Sequence, residues 1–276
     1  MNKKVLTKAQ QIERSLITTY KKNIWSKFVK GINEYQLISD GDKIAVCISG
    51  GKDSFVLAKC MQELLKHGRS NFELEFIVMD PGYNVKNREL IMANAELMDI
   101  PIKVFNSPIF SVVADVTESP CYLCARMRRG YLYKAAQDLG CNKIALGHHF
   151  DDVIETTLMN MLYSGEIKTM MPKLKSLNFD RMELIRPLYM VKEKDIIAFR
   201  NYNELNFLQC ACLMTERIAT NNVDSKRQEM KQLIKNFRAI NEHIDMNIFQ
   251  SMHNINLETV LGTRKGGALS SFLDSY

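Results

Sequence analysis

The chain has 276 residues, of which 46% are hydrophobic and 25% charged, and a formal charge of +6. Those proportions are ordinary for a globular protein and exclude disordered, collagenous and disulfide-scaffold chains. No run approaches the ~18 apolar residues of a membrane span, Met1–Gln10 is too polar for a signal peptide, and an odd count of 7 Cys reads as reduced thiols. The expectation is a soluble cytoplasmic protein with no membrane partner.

Charge is concentrated at the start. Residues 1–30 carry Lys3, Lys4, Lys8, Arg14, Lys21, Lys22, Lys27 and Lys30 against Glu13 alone, a balance of +7, while the rest sums to about −1. The same segment places Ile12, Leu16, Tyr20, Ile24, Phe28 and Ile32 at a constant spacing of four, one apolar stripe on a long helix. Two readings are open: a basic arm over residues 1–40 that grips a phosphate backbone, or a docked surface helix with solvated lysines.

From Asp40-Gly41-Asp42 onward, strands and helices alternate. The strands are Lys43–Ile48, Leu74–Met79, Ile102–Phe105, Lys143–Leu146 and Leu184–Ile185. Helices follow around Leu57–Leu65, Arg88–Met98, Arg126–Leu139, Asp152–Tyr163 and Lys192–Tyr202. This alternation predicts an α/β fold, a parallel sheet of about five strands with helices on both faces. Residues 41–215 then form the catalytic domain, and residues 216–276 a helical extension with a polar tail. Ligands of such sheets bind beyond the carboxyl ends of the strands.

The first strand ends in Ser49-Gly50-Gly51-Lys52-Asp53-Ser54, and a helix starts at once. Two glycines allow a tight turn, the helix start adds partial positive charge and Lys52, read as an exposed loop lysine, a full one. The seat suits a polyphosphate, with Ser49 and Ser54 as hydroxyl donors. Asp53 would repel phosphate unless Mg²⁺ lies between them. The spacing is not that of the G-x-x-x-x-G-K-[ST] loop. This stretch resembles the PP-loop ATP pyrophosphatases, whose loop reads S-G-G-x-D-S. The resemblance implies cleavage of ATP between its α and β phosphates and adenylation of a substrate oxygen. Met79-Asp80-Pro81-Gly82, at the end of the second strand, reads either as a backbone seat for adenine or as a plain turn.

Cys121-Tyr122-Leu123-Cys124 opens a helix that continues through Arg126, Arg128, Arg129 and Gly130, and Cys210-Ala211-Cys212 forms a second pair. Four Cys in two pairs fit a structural zinc site; three fit an iron–sulfur cluster with one iron lacking a protein ligand. Cys47, Cys60 and Cys141 read as small core residues. The fourth strand ends in Gly147-His148-His149-Phe150-Asp151-Asp152. Its histidines suit phosphate and its carboxylates suit Mg²⁺, although adjacent acids also cap helices.

In this order the motifs resemble one branch of the superfamily, the tRNA 2-thiocytidine synthetases: PP-loop, C-x-x-C with R-x-R-R-G, A-L-G-H-H-x-D-D, M-x-P-K-L and R-P-L. Here they are Cys121–Gly130, Ala145–Asp152, Met170–Leu174 and Arg186–Leu188. Two departures stand out: Cys210-Ala211-Cys212 replaces a second C-x-x-C, and Phe150 stands where a basic residue is common. The resemblance implies ATP-dependent thiolation of C2 of a tRNA anticodon-loop cytidine, at position 32. It also implies a [4Fe–4S] cluster on Cys121, Cys124 and Cys210 or Cys212. Lys52, Asp53, Arg128, Asp151 and Asp152 are the implied catalytic groups; Ser49–Ser54, Met79, Asp80, Gly147 and His148 bind ATP. Implied partners are tRNA, a sulfur donor such as a cysteine desulfurase, and a second copy of the chain. Alternatives left open are thiolation of uridine or of a small molecule, and a non-sulfur ligase with a Cys₄ zinc site.

Overall fold

The computed structural model describes residues 5–68, 70–114, 116, 120–208 and 226–276. The chain divides into two compact units, Met1–Val153 with Met171–Asp224, and Ile154–Met170 with Ser225–Tyr276.

The first unit is built on a six-stranded sheet in the order β3-β2-β1-β4-β6-β5. The strands are β1 (Lys43–Ile48), β2 (Glu73–Asp80), β3 (Ile102–Asn106), β4 (Lys143–Ala145), β5 (Lys173–Lys175) and β6 (Glu183–Ile185). All pairs are parallel except β5–β6, where Lys173 opposes Ile185 in an antiparallel edge. The five expected parallel strands are all present, and this short antiparallel edge strand is added to them. A three-residue strand with Lys at both ends carries too little apolar periodicity to stand out in a sequence.

The helices of this unit are α1 (Lys8–Ile17), α2 (Ser26–Glu34), α3 (Lys52–His67), α4 (Val85–Leu97), α5 (Ile109–Ala114) and α6 (Pro120–Asp138). Helix α7 (Phe150–Ser164) starts in it, and α8 (Glu193–Tyr202) follows β6. Order reverses between β1 and β4: the chain moves outward from β1 to β3, then returns to the other side of β1. The crevice of a doubly wound sheet opens at such a reversal.

The expected single N-terminal helix is two helices separated by a π-helical turn at Lys21–Trp25. The spacing of four explains the break. An α-helix advances about 100° per residue, so each step of four drifts by about 40° and five steps would carry the stripe to the far side. The wide turn, with Tyr20 N–H bonded to the Ser15 carbonyl at 2.8 Å and Trp25 N–H to that of Tyr20 at 3.3 Å, takes up the drift. Ile12, Leu16, Ile24 and Phe28 are all fully buried and share one core with Ile44, Val46, Phe55 and Phe199.

Polar ties add to this packing. Lys59, fully buried in α3, meets Glu13 Oε1 at 2.9 Å, and Asn23 Nδ2 donates to Asp195 Oδ1 at 3.0 Å. The segment expected as an arm over residues 1–40 is thus docked on α3 and α8 and completes the core. The stripe was legible; that its partner is the main sheet domain was not.

The second unit holds the remainder of α7, α9 (Lys226–Ile240), α10 (Ile244–Ser251) and the antiparallel hairpin β7 (Gly262–Lys265)–β8 (Ala268–Ser271). Glu155, nearly fully buried, accepts from Arg227 Nε at 2.9 Å, and Arg238 pairs with buried Asp245 at 2.9 Å. The expected polar tail is in fact a hairpin, and this unit takes in residues 154–170 in addition to the expected extension. No helix among the described residues is long and apolar enough to cross a membrane.

Phe28→Ala should cost about 3–5 kcal/mol of stability, as for a large side chain removed from a packed core. Deleting residues 1–30 should abolish cooperative unfolding, because it strips one wall from the core. Urea and thermal unfolding followed by circular dichroism check both; a truncated chain that melts like the full one would show an independent arm.

Candidate active site

The turn after β1 is shaped by backbone demands. Gly50 has φ +88°, and a Cβ there would come within 2.6 Å of Leu208 Cδ1. The Gly50 carbonyl accepts from Leu208 N–H at 3.1 Å, and that of Ser49 from the Tyr83 hydroxyl at 3.3 Å. Ser54 Oγ accepts from Ser49 N–H at 3.1 Å and donates to the Gly51 carbonyl at 2.9 Å, closing the loop on itself. No side chain caps α3 at Gly51, so the N–H groups of its first turn stay directed ahead of the helix.

The turn after β4 meets this loop face to face. An added Cβ on Gly147 would lie 3.0 Å from both the Asp53 carbonyl carbon and the Ser54 nitrogen. A side chain there would force the neighbouring backbone to give by a few tenths of an ångström, and through this close approach the two motifs share one crevice. His149 is buried, with Nε2 3.8 Å from Asp53 Oδ1 and Nδ1 3.4 Å from Asp152 Oδ2. Asp152 Oδ2 also accepts from the His149 backbone N–H at 2.9 Å, so part of its role is to cap α7. Asp151 Oδ2 accepts from Glu193 N–H at 2.6 Å, joining the start of α7 to the start of α8.

Lys52 is not the exposed loop lysine the sequence implies. Its ammonium lies 2.9 Å from Glu193 Oε1 and 3.1 Å from Asp53 Oδ2. Burial would depress its pKa, but the Asp53 and Glu193 carboxylates outweigh that and hold it above the ordinary lysine value, so the charge persists into alkaline conditions. Glu193 is the member of this group that motif reading missed. An acid opening the helix after the fifth strand was a legible signal, because the carboxyl end of every strand in such a sheet borders the crevice.

Asp53 Oδ1 is buried and has no hydrogen-bond partner among the described residues. An unsatisfied carboxylate oxygen beside a phosphate-type loop fits a divalent cation, which would satisfy the oxygen and offset phosphate charge. Among the described residues no group of three or more His, Cys, Asp or Glu stands ready to hold a metal by itself. A cation here would therefore need oxygens from its ligand, as Mg²⁺ bound to a nucleotide does.

On the other side of β1, the last pair in the β1–β2 register is Ile48↔Val78, so Met79 and Asp80 extend beyond it toward the crevice. The Asp80 carboxylate is committed to its own turn, accepting from Gly82 N–H at 2.9 Å and Tyr83 N–H at 2.7 Å. Its carbonyl accepts from Ser107 N–H at 2.8 Å. Met79 packs in an apolar cluster with Ile109, Val113, Phe110 and Cys124. Cys124 is a half-buried free thiol on α6, and Cys121 falls on the first turn of the same helix, its side chain lying outside the described atoms. Cys210 and Cys212 lie outside the described residues. A half-buried thiol near the start of a helix, with Arg128 one turn on, fits a thiolate ligand of an iron–sulfur cluster. Arg128 stands over the Phe110 ring at 5.5 Å, on this same side of the crevice. Cys47, Cys60 and Cys141 are buried, and burial pushes their thiols up, that of Cys141 to about 11, as inert core residues require.

With this geometry in view, known proteins give a consistent picture. The PP-loop domain family matches residues 20–226. A tRNA-cytidine(32) 2-sulfurtransferase of Neisseria meningitidis is 40% identical over 185 residues, covering 65% of this chain and only 57% of its own length. One from Syntrophotalea carbinolica is 34% identical over 229 residues, 82% of this chain and 86% of its own. Among solved structures, the U34-tRNA thiolase NcsA from Methanococcus maripaludis with its [4Fe-4S] cluster superposes with a TM-score of 0.66. It covers 87% of this chain and 80% of its own at 23% identity, a likeness of fold.

Gly147→Ala should destabilise the protein by about 1–3 kcal/mol, because backbone rather than a flexible side chain must yield. Urea unfolding measures it; an unchanged midpoint would mean that the two loops can separate freely.

Proposed function

We propose, on the premise that the chain belongs to the PP-loop family, that it is an ATP-dependent tRNA sulfurtransferase acting on C2 of cytidine 32. The observation that carries this reading is the union, in one crevice, of an uncapped phosphate-type loop and the Gly147–Asp152 turn, with the Cys124 thiol reached through Met79. The names borne by the relatives supply the base and its position.

The chemistry asks three things of the chain. A pyrimidine carbonyl oxygen is a poor leaving group, so it must first be converted into a good one. The cytidine O2 attacks the α-phosphorus of ATP, the bond between the α-phosphorus and its bridging oxygen breaks, and pyrophosphate departs. Lys52, the first-turn N–H groups of α3 and the Ser49 and Ser54 hydroxyls would neutralise the charge that builds on the departing phosphates. Asp53, with Asp151 or Asp152, would hold Mg²⁺, whose role is to offset phosphate charge. Buried His149 lies between the two carboxylates, with Nε2 3.8 Å from Asp53 and Nδ1 3.4 Å from Asp152.

Sulfide then adds at C2, and AMP leaves with the original oxygen. A [4Fe–4S] cluster on Cys121, Cys124 and either Cys210 or Cys212 would supply that sulfide, which a cysteine desulfurase would provide in the cell. Arg128, fixed against Phe110, would face the adenylate from the α6 side, and Met79 with Gly147 and His148 would border the nucleotide. Water is kept from the reacting carbon on this side by the apolar cluster around Met79.

Purified protein given ATP, Mg²⁺, sulfide and tRNA should release AMP and form 2-thiocytidine, read by mass spectrometry of tRNA nucleosides. Thiouridine in its place would overturn the base assignment, and no AMP release would overturn the reading. Lys52→Ala should lower the rate at least a hundredfold, in line with loss of a charge that stabilises the transition state. It should also melt slightly lower, because Asp53 and Glu193 then face each other without their shared cation. Anaerobically prepared protein should be brown, and Cys124→Ala should remove the broad visible absorption. Stoichiometric zinc without iron under those conditions would favour a structural Cys site.

A further inference from the structure

Three cationic side chains in the described structure are buried: Lys59, Lys143 and Arg186. Two of them meet a carboxylate. Lys59 reaches Glu13 at 2.9 Å and Lys143 reaches Asp42 at 2.8 Å. Arg186 is only 8% exposed, yet among the described residues no carboxylate lies within ion-pairing distance of it. One of its terminal nitrogens donates to the Met171 carbonyl, and its Nε is buried with no partner. A buried charge without a carboxylate in contact is costly, and a guanidinium with an idle donor is doubly so. Burial pushes its pKa down to about 10; Tyr189, Tyr133 and the more distant Asp152 carboxylate oppose that, and the Arg129 charge adds to it.

Position matters as much as charge. Arg186 follows the last residue of β6, where Ile185 pairs with Ala145 of β4 and accepts from Leu146 N–H at 3.0 Å. Arg186 is therefore level with Leu146, one residue before the Gly147-His148 turn, on the crevice edge of the sheet. Arg129 sits on α6 one turn before Tyr133, whose ring stacks on Phe179 at 5.0 Å in the β5–β6 connection. Tyr133 shares an apolar cluster with Leu184 of β6, and Arg186, two residues beyond Leu184, returns to that same face of the sheet, so Arg129 and Arg186 both lie one step nearer the crevice than this packed pair. Arg129 is exposed and, among the described residues, has no acidic partner either.

We propose that Arg186 and Arg129 form a seat for one phosphate group, the buried guanidinium supplying its idle Nε–H and the exposed one a second fork of donors. A phosphate supplies the missing counter-charge, and paired guanidiniums match its oxygens better than a lysine ammonium would. The inference rests on the proposed function, which provides two sources of phosphate: the backbone of the RNA and the polyphosphate of ATP.

The test uses the full chain with wild type, Arg129→Gln, Arg186→Gln and Arg186→Lys. Fluorescence anisotropy gives tRNA affinity over a KCl series, and calorimetry gives affinity for ATP and for pyrophosphate. Arg129→Gln, being on the surface, should keep the wild-type melting temperature while weakening one ligand about five- to tenfold, and Arg186→Lys should recover part of what Arg186→Gln loses. If the phosphate is that of RNA, tRNA binding weakens and the slope of log K against log[KCl] becomes shallower by about one, ATP being unaffected. If it is that of the nucleotide, ATP and pyrophosphate weaken and tRNA does not. Unchanged affinity for all three ligands in Arg129→Gln, with wild type binding them, would overturn the seat and leave the function standing. Wild type that bound neither tRNA nor ATP would overturn the function and the seat with it.

Discussion

The first unit hangs on one contact, the approach of Gly147 to the backbone at Asp53 and Ser54. It requires β4 to lie beside β1, which the strand order provides, and it disfavours a side chain at position 147. From it follows the proximity of His149 to Asp53, of Asp151 to the start of α8, and so of Glu193 to Lys52. Each of these pairs joins a residue from the carboxyl end of one strand to a residue from another.

Electrostatics in the crevice is organised in two different ways. Around Lys52 the cation is already paired: one ammonium faces two carboxylates, Asp53 and Glu193, which keep it protonated against the cost of burial. Arg128 on α6 and Arg186 at the end of β6 have no carboxylate in contact among the described residues. Each has a buried Nε without a partner there. Unpaired positive charge of this kind favours an anionic ligand.

The N-terminal segment shows how a basic stretch can be structural. Its described lysines are exposed or half-buried, but its stripe of Ile12, Leu16, Ile24 and Phe28 is as deeply buried as the central strand β1. The π turn reconciles a spacing of four with a helix of 3.6 residues per turn. Basic charge and core packing thus occupy opposite faces of one element, and composition alone could not rank them.

The sequence by itself determined the elements and the loops. Apolar runs at strand length, helical periodicity and glycine placement are set by neighbours within a turn or two, so β1, β2, β3 and the loop at Ser49–Ser54 were legible nearly residue by residue. The His–Asp turn and the cysteine pair at the start of α6 were legible for the same reason, since each is a local cluster of chemically distinctive groups. Only the tertiary structure decided what those groups touch. Lys52 meets Glu193 across 141 positions of sequence, and Lys59 meets Glu13 across 46. Which carboxylate a buried cation finds, and whether Arg186 finds one at all, depends on strand order and helix docking. Those follow from how the whole core fills space, and no local pattern records them.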